Sequence, residues 1–520
     1  MTRRATSAIF CTILLVIVVA VYAPVGRFQF VRLDDSDLLV DNPLLHPPTA
    51  KSLAQFWTAP YENLYTPLSY SLWWLVKSLG GDSAGPGTFH VVKLFLHAAA
   101  AALVFSILLR CVGSPLAAFG GAVVFALHPM QVESVAWVAE TNNVLAGVLS
   151  LAAIRLWLGF ADASGSGRWA TYWLASAFFL LALFSKPIAV VVPLIAAILD
   201  VGIVRRPAKR VILSLIPWFG MAVLFGLIAG QVQPAMGANP AHRPLIALDA
   251  LGFYVRHAVW PVHLTVDYAR SPMHLGFDHQ WILNALIPVL IAIVVWRIWR
   301  AHRTPAVAAA IGLAALLPVL GLIPFSQQEV STVADRYVYL AMLGLALFVA
   351  WVLQRIPSPG GAIVTVILAC SLAWLTAVQL QTWRDISALV AHTLAIDPGS
   401  AYGNEMAALQ LAHSGQAQQS IPFFKRAMAR DPKLPGSHYN LGNAFMHLSE
   451  FNQAIEEYQL AIDQGGPQVW KAMNNLGLAD VKIGRPDLAI DQFKRILQMD
   501  PQNESARNNL EILSAGVPSR

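Results

Sequence analysis

Apolar residues dominate the first 380 positions in long blocks separated by short polar stretches. A helix needs roughly 20 mostly apolar residues to cross a hydrocarbon layer. Eleven blocks meet that length to a fair approximation and predict spanning helices: 8–25, 89–110, 114–128, 135–160, 169–185, 187–203, 211–230, 281–300, 305–323, 337–354 and 361–380. Two weaker stretches, 64–79 and 245–263, carry Lys77, Arg256, His257 and prolines, and are expected to be interfacial or re-entrant. Arg3 and Arg4 precede the first block, as in a signal peptide. That block is long and ends without a clean small-residue cleavage site, so a retained first span is expected.

After position 380 the pattern changes to amphipathic helix pairs. Over 437–467, Leu441, Gly442, Phe445, Phe451, Ala454, Tyr458 and Ala461 fall at the offsets of a tetratricopeptide repeat (TPR), in which small residues let two helices approach and aromatics fill the gap. Leu476, Gly477, Gly484, Ala489, Phe493 and Pro501 repeat the pattern. Gly415, Phe424, Ala427 and Pro432 mark a more divergent unit, and Trp383 to Pro398 resembles the second helix of a partial one. The expected fold class is all-α: a polytopic membrane bundle of about eleven helices over 1–380, an α-solenoid over 381–514, and a tail at 515–520. Such solenoids bind peptides or partner proteins, although a stabilising cap without a ligand is the plainer reading.

Composition agrees. The chain has 520 residues, 56% hydrophobic and 12% charged, against about 25% charged in soluble domains. Residues 1–400 hold 41 Asp, Glu, Lys and Arg residues and 401–520 hold 23, roughly doubling the density. The net charge of +6 does not indicate nucleic-acid binding, because basic residues in short loops orient a membrane protein. With a cytoplasmic N-terminus, eleven spans put Arg3 and Arg4, Arg110, Arg168, the cluster Arg205, Arg206, Lys209 and Arg210, then Arg297, Arg300, Arg303 and Arg355 all inside. The outer side then receives loop 26–88, the loops near 129–134, 186, 231–280 and 324–336, and the C-terminal repeats. Cys11, Cys111 and Cys370 have neither metal nor disulfide spacing and are expected as buried structural thiols.

The polar residues of the membrane part thus gather on one face. Asp34, Asp35, Asp37 and Asp41 crowd the start of the first outer loop. Close carboxylates raise each other's proton affinity, and a raised carboxylate can take a proton from a hydroxyl. Asp34 and Asp35 could also hold a divalent cation, or the loop could simply be acidic and solvated. Glu133 and Glu140, two helical turns apart, are expected on one helix face, followed on the same helix by Asn142 and Asn143. Ionisable groups at membrane depth usually face a cavity or site. His128 is either a helper in that pocket or a cap beside Pro129. Lys186 and Arg336, each at an outer helix end, could hold a phosphate or reach for headgroups. Asp267 and Tyr268 form a further polar end.

The motifs DDSDLLVDNPLL, YTPLSY, ALHPMQVESVAWVAE, FSKP, WPVHLTVDY, ADRYVYLAMLG and QTWRDISALVAHTLAIDPGSAYGNEMA occur in that order. In this order the chain resembles the transmembrane and tetratricopeptide-repeat-containing glycosyltransferases of the GT-C superfamily. The resemblance covers nearly the whole chain and suggests a bacterial member in the inner membrane. It implies a polyprenyl-phosphate sugar donor, an inverting transfer at an outward-facing site, and a protein or peptide acceptor brought by the repeats. In eukaryotic relatives the product is O-mannosylated protein. The resemblance makes Asp34 or Asp35 the catalytic base, puts Glu133 in the donor or acceptor pocket and gives the donor phosphate to Arg336; Glu140, His128, Tyr65 and Asp267 are further candidates for the pocket, and Lys186 for the phosphate. Two positions depart from the family pattern: Thr66 stands where Arg commonly follows the Tyr of the YTPL motif, and Pro187 where Glu commonly follows the Lys of FSKP. Two rivals are an O-antigen ligase or oligosaccharide transferase, against which the short late outer loop counts, and a non-catalytic membrane-anchored scaffold, against which many spans and intramembrane Glu residues count.

Overall fold

The computed structural model describes every residue except 1, 32, 163–166, 233–239, 271–278, 324–330, 433, 435, 467 and 517–520. Parts of the expected outer loops 231–280 and 324–336, and most of the tail, therefore lie outside the described residues. The described chain is helical, with two isolated β-bridges in the first loop. It divides into two compact units, 1–389 and 390–520, the boundary falling inside the helix Ile386–Ile396.

All eleven apolar blocks are helical in the first unit. Among the described residues, seven helices are long and apolar enough to span: Arg3–Arg27, Pro86–Val112, Val138–Asp162, Pro187–Val204, Ala208–Val232, Trp281–Ile298 and Gly360–Trp383. Pro115–Leu127 and Pro129–Ala136 form an eighth if taken as one span bent by 50°. The other blocks are shorter or less apolar. Arg303–Val319 and Met342–Leu353 are short apolar helices, and Gly167–Ser185 opens on the polar residues Arg168, Thr171 and Tyr172. The weak stretches form the helices Pro67–Gly80 and Arg243–Val259. Leu224, Leu227, Val294, Val366 and Ile367 point outward from the long helices, as lipid-facing residues do. Of the cysteines, Cys11 and Cys111 are half-buried and pack against the core of the first unit, whereas Cys370 is exposed on the apolar helix Gly360–Leu380, so the expectation of a buried thiol is corrected there.

Small residues set the close packing around the bent span. A Cβ on Gly121 would come within 2.4 Å of the Ala346 carbonyl oxygen, so Pro115–Leu127 meets Met342–Leu353 nearly backbone to backbone. The bend frees the last carbonyls of Pro115–Leu127, and bare carbonyls are costly in an apolar medium. Side chains meet them. Gln131 Nε2 donates to Phe125 O at 3.0 Å, His97 Nε2 lies 2.9 Å from Ala126 O, and Thr376 Oγ1 donates to Leu127 O at 2.5 Å. With its Nε2 hydrogen on a carbonyl, His97 accepts at Nδ1 from the Tyr339 hydroxyl, 2.9 Å away.

The second unit stacks helix pairs: Ala401–His413 with Ala417–Arg430, Ser437–His447 with Phe451–Gln464, and Val469–Lys482 with Pro486–Met499, followed by Glu504–Gly516. A Cβ on Gly442 would lie 2.6 Å from the Tyr458 ring, and one on Gly477 2.8 Å from the Phe493 ring, the same glycine-on-ring contact in successive pairs. Glu405 is buried between pairs, accepting from the Ser437 hydroxyl at 3.1 Å. Burial pushes its carboxyl up to about 7, against the opposing pull of Ser437 and Asn440. A pKa raised in the fold means stability that is complete below the unfolded value near 4.5 and lost as pH rises through about 7. The span corresponds to roughly 3 kcal/mol. Hydrogen exchange of Ala401–His413 and Ser437–His447, corrected for intrinsic rates, is expected to quicken from pH 5 to pH 8. In Glu405→Gln that dependence should vanish, and an unchanged slope in the variant would refute the assignment.

Candidate active site

The site grows from two interruptions in helical structure. In the first, Pro129 follows the end of Pro115–Leu127, and His128 caps the new turn: its Nδ1 accepts from Met130 N at 3.3 Å, while Nε2 lies 3.1 Å from Ala258 O. Both ring nitrogens thus go to backbone groups, and His128 acts as a cap rather than a pocket residue. In the second, the helix Val132–Ala136 stops at Trp137 (ψ 115°), a short turn Val138–Glu140 follows, and Thr141–Asp162 begins. Glu133 and Glu140 are therefore on opposite sides of an elbow, not on one continuous helix face, and Asn142 and Asn143 belong only to the later helix.

The elbow still brings both glutamates to Arg336, which sits on the turn Asp335–Val338. Arg336 Nη1 lies 2.5 Å from Glu133 Oε1, and Nε lies 3.4 Å from Glu140 Oε1. Lys186 Nζ reaches the other oxygen of Glu140 at 2.8 Å. The guanidinium stands over the rings of Trp137 and Tyr337, 5.4 and 5.1 Å from their centroids. Its backbone is pinned too: Asn143 Nδ2 donates to Arg336 O at 2.6 Å and to Ser134 Oγ at 3.0 Å. The neighbouring Asp335 is buried and accepts from the Tyr268 hydroxyl at 2.8 Å. Burial, with Glu133 nearby, holds its carboxyl well above the usual carboxylate range.

The two aspartates separate sharply. Asp35 is buried, and both its oxygens accept from backbone: Oδ2 from Val31 N at 3.0 Å and Oδ1 from Ala139 N at 2.7 Å. It staples the first loop to the elbow. Burial pushes its carboxyl up to about 7, opposed by those two donors and by Lys93. Asp34 is exposed, and its side chain makes no hydrogen bond to a described residue. Neighbouring groups nonetheless keep much water from its carboxyl, and that desolvation raises its proton affinity, reinforced by Glu140 and Asp37 and opposed by Arg336 and Lys186. An accessible carboxylate of raised basicity thus stands in the field of the two cations.

No group of three His, Cys, Asp or Glu side chains among the described residues could hold a metal. Each oxygen of Asp35 already accepts from a backbone N–H, so in the Asp34–Asp35 pair Asp35 is built first as a staple of the loop. Tyr65 donates to Trp57 O at 3.1 Å within the first loop. Asp267 accepts from Ala269 N at 2.7 Å, closing a turn, and it is the next residue, Tyr268, that reaches the cluster. Thr66 is buried at the start of Pro67–Gly80. Sequence reasoning missed Asp335, Trp137 and Lys93. Lys93 carried a usable signal, a lone charge inside an apolar block.

Comparison with known proteins finds relatives of the C-terminal repeats alone and relatives of most of the chain. A tetratricopeptide-repeat family model matches residues 435–464 and 471–503. The helix pairs Ser437–Gln464 and Val469–Met499 are tetratricopeptide repeats. A curated protein O-mannosyl-transferase of Caenorhabditis elegans is 22% identical over 447 residues, covering 78% of this chain. The chain spans 60% of that relative's length. Among solved structures, ArnT from Cupriavidus metallidurans bound to undecaprenyl phosphate is 14% identical, with a TM-score of 0.38, over 96% of this chain and 81% of that one. The first TPR domain of Spaghetti (RPAP3) bound to an HSP90 peptide is 24% identical, with a TM-score of 0.22, over 24% of this chain and 97% of that one. The chain is thus a repeat-bearing membrane protein similar to a protein O-mannosyl-transferase.

Proposed function

We propose that the chain is a membrane glycosyltransferase of the GT-C kind, moving a sugar from a polyprenyl-phosphate donor to a hydroxyl of a protein or peptide on the non-cytoplasmic side. The observation that carries this reading is the pairing of Asp34, accessible and basic, with the Arg336–Lys186 cation pair in one cluster. Similarity to a protein O-mannosyl-transferase supports it.

The chemistry follows from those charges. The acceptor oxygen attacks the anomeric carbon from the face opposite the phosphate, and its proton passes to the Asp34 carboxylate. The bond from the anomeric carbon to the phosphate oxygen breaks, and its electron pair leaves with the polyprenyl phosphate. Charge grows on that oxygen in the transition state, where Arg336 and Lys186 stabilise it. Glu133 and Glu140 hold the two cations in place until the donor arrives. In the repeats, Asn440, Asn443, Asn475, His413 and His447 help line a cavity of about 330 Å³, whose amide and imidazole groups suit the polar backbone of a peptide.

The test is reconstitution of the full chain in liposomes with radiolabelled polyprenyl-phosphate mannose or glucose and a Ser/Thr-rich peptide. Label is expected to move to the peptide with inversion at the anomeric carbon. Failure of both donors to label peptide, glycan or lipid acceptors overturns the reading.

A further inference from the structure

Lys93 lies within the apolar helix Pro86–Val112, fully buried. Its ammonium donates to the Trp137 carbonyl, and among the described residues it forms no ion pair within 4 Å. It nevertheless stands in the field of Glu140, Asp35 and Glu133, with Lys186 as a like charge.

Trp137 is where the helix breaks, and its carbonyl also accepts from Glu140 N at 3.1 Å. Two peptide units further along the same elbow, Ala139 N donates to Asp35. The elbow is thus gripped from two sides, at a carbonyl by Lys93 and at an N–H by Asp35. Glu133 precedes the elbow and Glu140 follows it, and both must meet Arg336. The bend at Trp137 therefore decides whether one guanidinium can be shared by two carboxylates.

We propose that Lys93 is a positioning residue of the site, whose ammonium fixes the Trp137 elbow and supplies the buried counter-charge for the surrounding acids. Its kinetic consequence rests on the transferase reading, whereas its electrostatic consequence does not. Asp35 faces Lys93, Asp34 and the N–H groups of Val31 and Ala139. Lys93 faces Glu140, Glu133, Asp35 and Lys186, and on its own helix it lies near His90 and His97. Removing one cation from this set favours the protonated form of a nearby carboxyl.

The test uses full-length Lys93→Met and Lys93→Gln. Infrared titration follows the protonated-carboxyl band of Asp35, assigned as the band lost in Asp35→Asn. In both variants its midpoint is expected to move up by about one pH unit. In the transfer assay kcat should fall about tenfold with little change in donor KM. An unmoved carboxyl midpoint in both variants overturns the proposal, whether or not the rate falls. So does failure of both to yield folded protein, since Lys93 would then be a folding residue. If the wild type transfers no sugar while the midpoint moves, the transferase reading falls and Lys93 keeps its role. A transferring wild type with an unmoved midpoint gives the reverse.

Discussion

Asp34→Asn is expected to abolish sugar transfer while leaving the protein folded. Asn keeps the size of the side chain but cannot take a proton from the acceptor hydroxyl. Loss of a positioned general base lowers rates by about 10²–10⁴-fold. The Asp34 side chain makes no hydrogen bond to a described residue, so the amide leaves no donor unpaired and the fold should tolerate it. Asp35→Asn differs, because its carboxylate accepts from Val31 N and Ala139 N and an amide can serve only one of them without turning its own N–H₂ toward a donor. Asp35→Asn is therefore expected to lower stability as well as activity. In the wild type the rate should climb with pH through an acid limb above the ordinary carboxylate range, because desolvation raises Asp34 and the base works only once deprotonated. Measured kcat, with thermal unfolding as the control for folding, separates the two aspartates. Equal, full activity in Asp34→Asn would remove it from the mechanism.

Arg336→Gln is expected to cost both activity and stability. Loss of a charge-stabilising donor typically lowers kcat about 10²–10³-fold. The same change strands Glu133, which is 3% exposed and loses its ion-pair partner. Breaking a buried pair from one side costs about 3–5 kcal/mol. The double variant Arg336→Gln with Glu133→Gln removes both charges and should regain much of the lost stability without regaining transfer. Unfolding curves and transfer rates for the two single variants and the double form a cycle. Recovery of transfer along with stability would show that Arg336 serves the fold and not the phosphate.

The sequence disclosed the membership of this cluster better than its geometry. Glu133, Glu140 and Arg336 stood out because charge is costly among apolar residues, and all three meet. The break at Trp137 was hidden, since neither proline nor glycine marks it; it depends on Lys93 and Asp35, from remote parts of the chain. For the same reason the difference between Asp34 and Asp35 was illegible, because the deciding N–H belongs to Ala139, more than a hundred residues away. His128 beside Pro129 was readable as a cap, and the structure gives it that place. The helix pairs of the second unit were legible because their contacts are local, with Gly442 against Tyr458 and Gly477 against Phe493 within one repeat length.

The bent span has a consequence for biogenesis. One of its loose carbonyls, on Leu127, is met by Thr376, which is synthesised about 250 residues later. Until Gly360–Leu380 emerges from the ribosome and joins the bundle, that oxygen lacks its partner. The nascent segment must wait in a wetter place, or be shielded by the insertion machinery, so the bend between Pro115–Leu127 and Pro129–Ala136 matures only once the last long apolar helix has joined the bundle.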